Sequence, residues 1–589
     1  MPPRSAKRPA PVAPRHTASV LPVPAPRWVP FVLAALASLI LVGLFSREIS
    51  NTDFWWQLRT GQYIAQTHSL PDPDPFAYTT AGAGQTHEGE ATVRHFNLRH
   101  EWMAQVLIYL VYRVGGFGGV VLARAMLLLA FCALVGLIAY RRCGRFYRAL
   151  TAALLAATVV LPFAADRPFL VSFVFLAVTV AILEWRQTRL RWLLPVVMLI
   201  WANCHGGFVL GWLVIGAWCA EDLYWRLRGR PVAGDIQLWT ICAISVLASC
   251  LNPNGASVLA VLRFYRNSSM TSSLIEWQPP ALWPPRPFAI LLLAAALVLI
   301  WRFRRVRVSD WLLFPAFAVA ALTAGRNTFL IGFLAPILIA AYLPGKGLAV
   351  RYAPRVLAAA AAALLTVGLA VTCGIGQGFQ FRAADWPVPV GAANFLLVNH
   401  ITQPMFNTYE SGGYLIWRLW PRERVFIDGR ALSESVFSDH QRLLSSEGGD
   451  GARTAAALLD KYGVQVVVMN LFEYTSGVMY MLAPLLDSPA GMDWKIVYAA
   501  ADGMIFMRHP PAGLPVRDPA DILDAMESGC QLHIDHDPDF PGCAYNLGYM
   551  FVVNQEPDRA RRWLRTFLDH AAAGSPQAER ATRTLATLP

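Results

Sequence analysis

Residues 28–62 read "WVPFVLAALASLILVGLFSREISNTDFWWQLRTGQ", and this stretch decides what kind of molecule follows. The first eighteen residues form an apolar run long enough for one bilayer crossing. Directly beyond it stand an aspartate, Asp53, and two tryptophans, Trp55 and Trp56. Tryptophan belts the membrane–water interface, and Asp53 could cap the next helix. Alternatively, Asp53 works on a substrate delivered by the lipid. The choice depends on which side of the membrane the stretch faces.

Composition agrees with a membrane chain. Of 589 residues, 55% are hydrophobic and 15% charged, with mean hydropathy +0.41. Soluble domains carry about a quarter charged residues. A net charge of +12 in a soluble protein would suggest nucleic acid. Here the basic residues fall in short clusters between apolar runs, so they report topology, and no nucleic-acid partner is expected. Only 4 of the 50 basic residues are Lys, which with the Ala and Pro bias points to a high-GC bacterium. The nine Cys show neither CxxC nor zinc spacing. Cys530 and Cys543 alone could pair, if their segment lies in an oxidising compartment.

Apolar runs begin near Trp28, Phe117, Arg148, Phe169, Trp192, Phe208, Ile236, Arg286, Ser309, Thr328 and Pro354. They predict about eleven spans. Residues 1–27 form a Pro-rich basic tail, expected to be disordered, which the positive-inside rule places in the cytoplasm. Alternation then puts "RRCGRFYR", "RQTRLR", "RLRGR", "RFRRVR" and "GKGLAVRYAPR" inside, all rich in Arg or Lys. The outside loops are 47–116, "DRP" at 166–168, "NCHGG" at 203–207, 252–285 and "GRN" at 325–327. An odd number of spans sends everything after Cys373 outside as well. The unusual polar residues then gather on one face: Asp53, His100, Glu101, Asp166, Arg167, Asn203, His205, Asn252, Glu276, Arg326 and Asn327. Ionisable groups at membrane depth are costly and mark a site by default, so an outward-facing polar cavity roofed by the first loop is expected.

The fold class expected is mainly α: a polytopic helical domain over 28–373, an extracytoplasmic α/β domain over 374–512 and a helical tail over 513–589. In the first outer loop a short helix starts at Thr52 or Asp53 and breaks at Pro71. A second, with Trp102, Val106, Leu107 and Leu110 on one face, lies on the outer surface as an interfacial helix. Pro71, Pro73 and Pro75 keep "PDPDPF" extended. Beyond Cys373, strand-like runs "RVFIDG", "VQVVVMN", "WKIVYAA" and "GMIFMRH" alternate with helical runs near 388–399, 411–420, 453–462 and 478–487. The stretch "AYNLGYMFVVNQEPDRARRWLRTFLDHA" has the spacing of one tetratricopeptide helix pair. A single unit cannot bury its own face, so it packs on the α/β domain or on a partner.

The candidates for chemistry carry competing readings. Glu101 in "HEW" is a base, a metal ligand or a solvated first-turn glutamate. Asp72 and Asp74 form a DxD pair that could hold a divalent cation or simply make turns. His205 stands at a helix break before Gly206 and Gly207. Arg167, Arg286 and Arg326 could hold a lipid phosphate or snorkel to headgroups. "FIDGR", at 426–430, follows a strand and reads as a turn. No Walker A, HExxH or GxSxG sequence is present.

Taken together, "DFWWQLRTGQYI", "LPDPDPFAYT", "HEWMAQ", "DRP", "WANCHGGFVLG", "LNPNG", "EWQPP", "GGYLIWRLWPRERVFIDGR" and "YGVQVVV" resemble a bacterial family of polytopic membrane proteins. That family is described as membrane glycosyltransferases of the GT-C type, often followed by tetratricopeptide repeats. The resemblance covers residues 28 to about 510. It implies transfer of a sugar from a polyprenyl-phosphate carrier on the outer side of a bacterial inner membrane. The acceptor would be a glycan, lipid or protein, and the helical tail could bind a protein partner. The first-loop acid, a base or metal ligand, corresponds to Asp53. His100, Arg167, His205, Arg286, Arg326 and Asn327 would bind substrate, and Mg or Mn could sit on Asp53 and Asp74. Two departures stand out. Gln57 occupies a place where the family often has His, and Thr52 and Phe54 flank Asp53 without a second carboxylate, which Glu101 or Asp74 could supply through folding. Two other readings are a non-catalytic lipid- or glycan-binding scaffold and a transporter, the latter requiring polar residues on both faces and paired repeats.

Overall fold

The computed structural model describes residues 28–80, 86, 88–185, 188–229, 236–265, 275–344, 354–374, 378–430, 432–445, 451–473, 476–480, 482, 486, 494–518 and 520–589. The basic tail and most of "GKGLAVRYAPR" fall outside them, as does half of the run near 478–487.

Apolar helices form at each expected position, from Val29–Phe45 to Pro354–Gly374. Among the described residues four helical segments are long and apolar enough to cross a membrane: Glu90–Cys143, Phe146–Phe163, Gly206–Leu227 and Gly325–Tyr342. Six shorter apolar helices accompany them, and the chain is an integral membrane protein. Helix Pro287–Trp301 shows how the bundle is solvated. It buries Leu291, Ala295 and Val298, yet exposes Ile290, Leu293, Leu297 and Ile300. A helix apolar all round with one face uncovered suits lipid on that face.

The second helix of the first loop is distinct from the span that follows it. Trp102–Cys143 comprises two helices that meet at Gly116, whose φ of 59° and ψ of −157° are non-helical values that glycine tolerates. Its first part turns Ala104 and Gln105 inward and exposes Leu107, Leu110 and Val114. A single polar cap on the bundle is too simple. At the other end of the same helices, Arg142 bonds Glu184 (2.6 Å) and Asp310 (2.9 Å), and Arg307 bonds Glu184 (2.8 Å). Asp310 also accepts from the Tyr342 hydroxyl. These residues lie inside or beside apolar runs, where the Arg-rich loops read only as topology signals.

In the C-terminal part, β1 (Met405–Asn407), β2 (Val466–Met469), β3 (Lys495–Ala500) and β4 (Gly503–Met507) form a mixed sheet ordered β1-β2-β4-β3. β1 runs parallel to β2, while β4 is antiparallel to both β2 and β3. "RVFIDG" is not a strand of this sheet. Val425 makes only an isolated bridge to Ala77, and the three-residue β1 takes the edge instead. Helix Glu434–Ser445 was also not foreseen. The tail consists of helices Ala520–His536, Gly542–Val553, Pro557–His570 and Pro576–Thr587. Their Cys543, Leu547, Trp563 and Phe567 join the same apolar core as Phe406 and Met504, and Cys530 is disulfide-bonded to Cys543.

His440 is 1% exposed, stacks on Phe406 and, among the described residues, has no hydrogen-bond partner on either ring nitrogen. Burial pushes its pKa down to about 3. The unfolded chain therefore holds the extra proton between that value and the usual 6.5. Stability is complete above this window and falls as pH drops through it, by at most ~1.4 kcal/mol per unit. Replacing His440 with Phe should flatten the dependence of the thermal midpoint on pH between 7 and 5. An unchanged slope would show that other groups set it.

Candidate functional site

Asp53 stands at the N-terminus of helix Phe54–Thr67, but its carboxylate makes no capping bond. Instead Oδ1 accepts from the Trp56 indole N–H (3.0 Å), and Oδ2 pairs with Arg167 (3.0 Å). Neither tryptophan faces lipid. Trp55 and Trp56 are 4% and 6% exposed, because helix Tyr409–Leu419 of the C-terminal part packs on this helix. Trp55 meets Tyr414 edge-on at 4.9 Å. Burial raises the Asp53 pKa, against the opposing pull of Arg167 and the Trp56 hydrogen bond.

The ion pair continues. Arg167 also bonds Glu276 (3.2 Å), whose other oxygen faces Arg326 (3.3 Å). Arg326 lies over the Trp277 ring at 4.4 Å. These groups border a cavity of about 900 Å³. Its polar wall includes His100, Arg167, His205, Glu276, Arg326 and Asn327. Its apolar wall includes Phe163, Phe169, Phe173, Leu210 and Phe329.

Glu101 lies beside this cavity and holds a second cluster together. It accepts from the Gln57 amide (2.7 Å) and faces Nε2 of His100 (3.3 Å) and of His205 (3.8 Å). The pKa of His205 is pushed down to about 3 by burial, with Glu101 opposing. The Gly207 N–H (3.0 Å) and the Ser172 hydroxyl (2.7 Å) converge on His205 Nδ1, while the Trp201 indole donates to Ser172 (2.7 Å). With Nδ1 accepting, the proton of neutral His205 sits on Nε2, towards Glu101.

Thus Asp53, Arg167 and Arg326 are linked by ion pairs, and His100, Glu101 and His205 by a second set. Two expected residues lie elsewhere. Arg286 is exposed at the start of helix Pro287–Trp301 and does not line the cavity. Asp74 accepts from the Phe76 and Ala77 N–H groups and takes a two-pronged bond from Arg430 (2.7 and 3.1 Å). A divalent cation suits neither Asp53 nor Asp74, since each already faces a guanidinium. Among the described residues no three His, Cys, Asp or Glu side chains converge as a metal site.

"FIDGR" has more to do than turn the chain. Arg430 joins Asp74 to Asp428 (2.7 Å), all three nearly fully buried. Between them Gly429 lies so close to Asp53 that a Cβ there would overlap Oδ1. The Tyr409 hydroxyl donates to the Gly429 carbonyl (3.1 Å). The residues seating Asp53 thus come from a domain more than 350 positions away, and only the pairing of "DFWW" with "FIDGR" hints at it. Gly429→Ala should displace the Asp53 carboxylate while leaving the α/β core folded. The check is activity against thermal midpoint: both unchanged would show that the close approach is incidental.

No protein-family model matches this chain, and no curated protein does. Solved structures similar to it include ArnT from Cupriavidus metallidurans bound to undecaprenyl phosphate, at 12% identity and TM-score 0.45. That match covers 83% of this chain and 99% of ArnT. A second is the mycobacterial arabinofuranosyltransferase AftD, at 16% identity and TM-score 0.47, covering 84% of this chain and 42% of AftD.

Proposed function

We propose that this chain is a GT-C-type membrane glycosyltransferase that moves a sugar from a polyprenyl-phosphate carrier to an acceptor hydroxyl. One observation carries the reading: Arg167, Glu276 and Arg326 line a cavity that is polar on one wall and aromatic on the other, and Asp53 stands directly behind Arg167, paired to it. Asp53 takes the acceptor proton as the acceptor oxygen bonds to the anomeric carbon. The bond from that carbon to the phosphate oxygen breaks, and its electron pair stays on the phosphate. Arg167 and Arg326 stabilise the charge that develops there. The apolar wall receives the first isoprene units of the carrier, and no step needs a metal. Glu101, His100 and His205 hold the loop over the cavity and orient the sugar.

The site faces the outside of a bacterial inner membrane in this reading, with the amino terminus in the cytoplasm. The Arg-rich loops at the opposite end of the bundle support that orientation, as does a Cys530–Cys543 bond in the outer part. Purified protein given labelled polyprenyl-phosphate sugars and cell-envelope acceptors tests it. Label in an acceptor supports the enzyme. Tight binding without transfer would make the chain a lipid-binding scaffold.

A further inference from the structure

Glu276 holds an unusual position. It sits on a single turn, Ile275–Trp277, and its two oxygens face two different guanidiniums, Arg167 and Arg326. Each arginine has independent support: Arg167 from Asp53, and Arg326 from the face of Trp277. Removing the carboxylate would therefore leave both cations near their present places. Glu276 is also the most exposed member of this chain of charges, with 34% of its side chain accessible against 20–27% for the others. An anion spread between two cations, oxygen by oxygen, is the arrangement a phosphate would take.

We infer that Glu276 is a built-in counter-ion that fills the phosphate seat of the ligand-free protein and must be displaced by the carrier's phosphate. The inference rests on the proposed function, which puts a phosphate between these arginines. Its consequence is selectivity. A phosphodiester headgroup carries one negative charge, as Glu276 does, so exchanging one for the other gains little. A phosphate with a second charge gains more, because both arginines then face a stronger anion. The seat thus takes any monoanionic phosphodiester weakly, a membrane lipid's or the carrier's own, and the carrier relies on its sugar and isoprene contacts to displace Glu276. The seat tightens as bond breaking turns the carrier's diester into a monoester, which favours the transition state over the bound substrate.

The test uses the full chain in phosphatidylcholine nanodiscs, with farnesyl phosphate as monoester probe and phosphatidylglycerol as diester competitor. Binding is read from tryptophan fluorescence. Glu276→Gln should bind farnesyl phosphate roughly tenfold more tightly than the parent, a change of the size a lost competing ion pair allows. Phosphatidylglycerol should compete more strongly in the variant than in the parent. Glu276→Ala should move affinity in the same direction, which separates loss of charge from a local packing change. Unchanged or weaker binding in both variants overturns the inference and makes Glu276 an organiser of the arginines. Should the parent bind farnesyl phosphate, and Arg326→Gln weaken it, the phosphate seat stands even then. No binding by the parent, with no effect of Arg326→Gln, would bring down the seat and the inference together.

Discussion

Asp53→Asn is expected to lower sugar transfer by ~10²–10⁴-fold, the usual worth of a positioned base, while the protein folds as before. The amide oxygen can still accept from Trp56, and Arg167 keeps Glu276 as its partner. The thermal midpoint should therefore stay near the parent value. A companion measurement uses pH. Burial holds the Asp53 pKa above the ordinary aspartate value, while Arg167 pulls it back. The base form is thus lost at a higher pH than for an exposed aspartate. Replacing Arg167 with Gln removes the opposing pull, so the acid limb of kcat/KM should move to still higher pH. A limb that stays put, or an Asp53→Asn enzyme with full activity, would remove Asp53 from the chemistry.

Arg430→Met should be strongly damaging to the fold of the C-terminal part. The guanidinium is 3% exposed and neutralises Asp74 and Asp428, themselves 3% and 2% exposed. Losing it leaves two carboxylates buried against each other, a situation that costs about 3–5 kcal/mol. Activity should fall with stability, because Gly429 lies between Asp428 and Arg430. The triple variant Arg430→Met, Asp74→Asn, Asp428→Asn removes the stranded charges and should recover much of the thermal midpoint. If the single variant unfolds at the parent temperature, the buried triad contributes nothing to the fold.

Part of this architecture is legible in one dimension. Runs of apolar residues place helices because a bilayer or a bundle interior asks for little else. Asp53, Arg167 and Arg326 announce themselves as charges where charge is expensive. What sequence reasoning missed has no period. The Asp74–Arg430–Asp428 triad joins residues 356 positions apart, and nothing near Asp74 signals a buried arginine. The DxD pair shows the same limit, since in sequence an aspartate looks alike whether it makes a turn, holds a divalent cation or, as Asp74 does, takes a guanidinium. Trp55 and Trp56 were read as membrane anchors because their neighbour in the chain is a span. Their neighbour in space is helix Tyr409–Leu419. Ser172, which fixes the proton of His205, sits inside an apolar run and gives no sign of it.

The seat of Asp53 bears on how such proteins can be taken apart. Its floor is contributed by one end of the polypeptide and its rim by the other, with Gly429 as the point where they touch. A hybrid joining the helical-bundle portion of one relative to the sheet-containing portion of another would bring together surfaces never fitted to one another. Such grafts should succeed only when the segment carrying Asp53 and the segment carrying Gly429 travel as a matched pair.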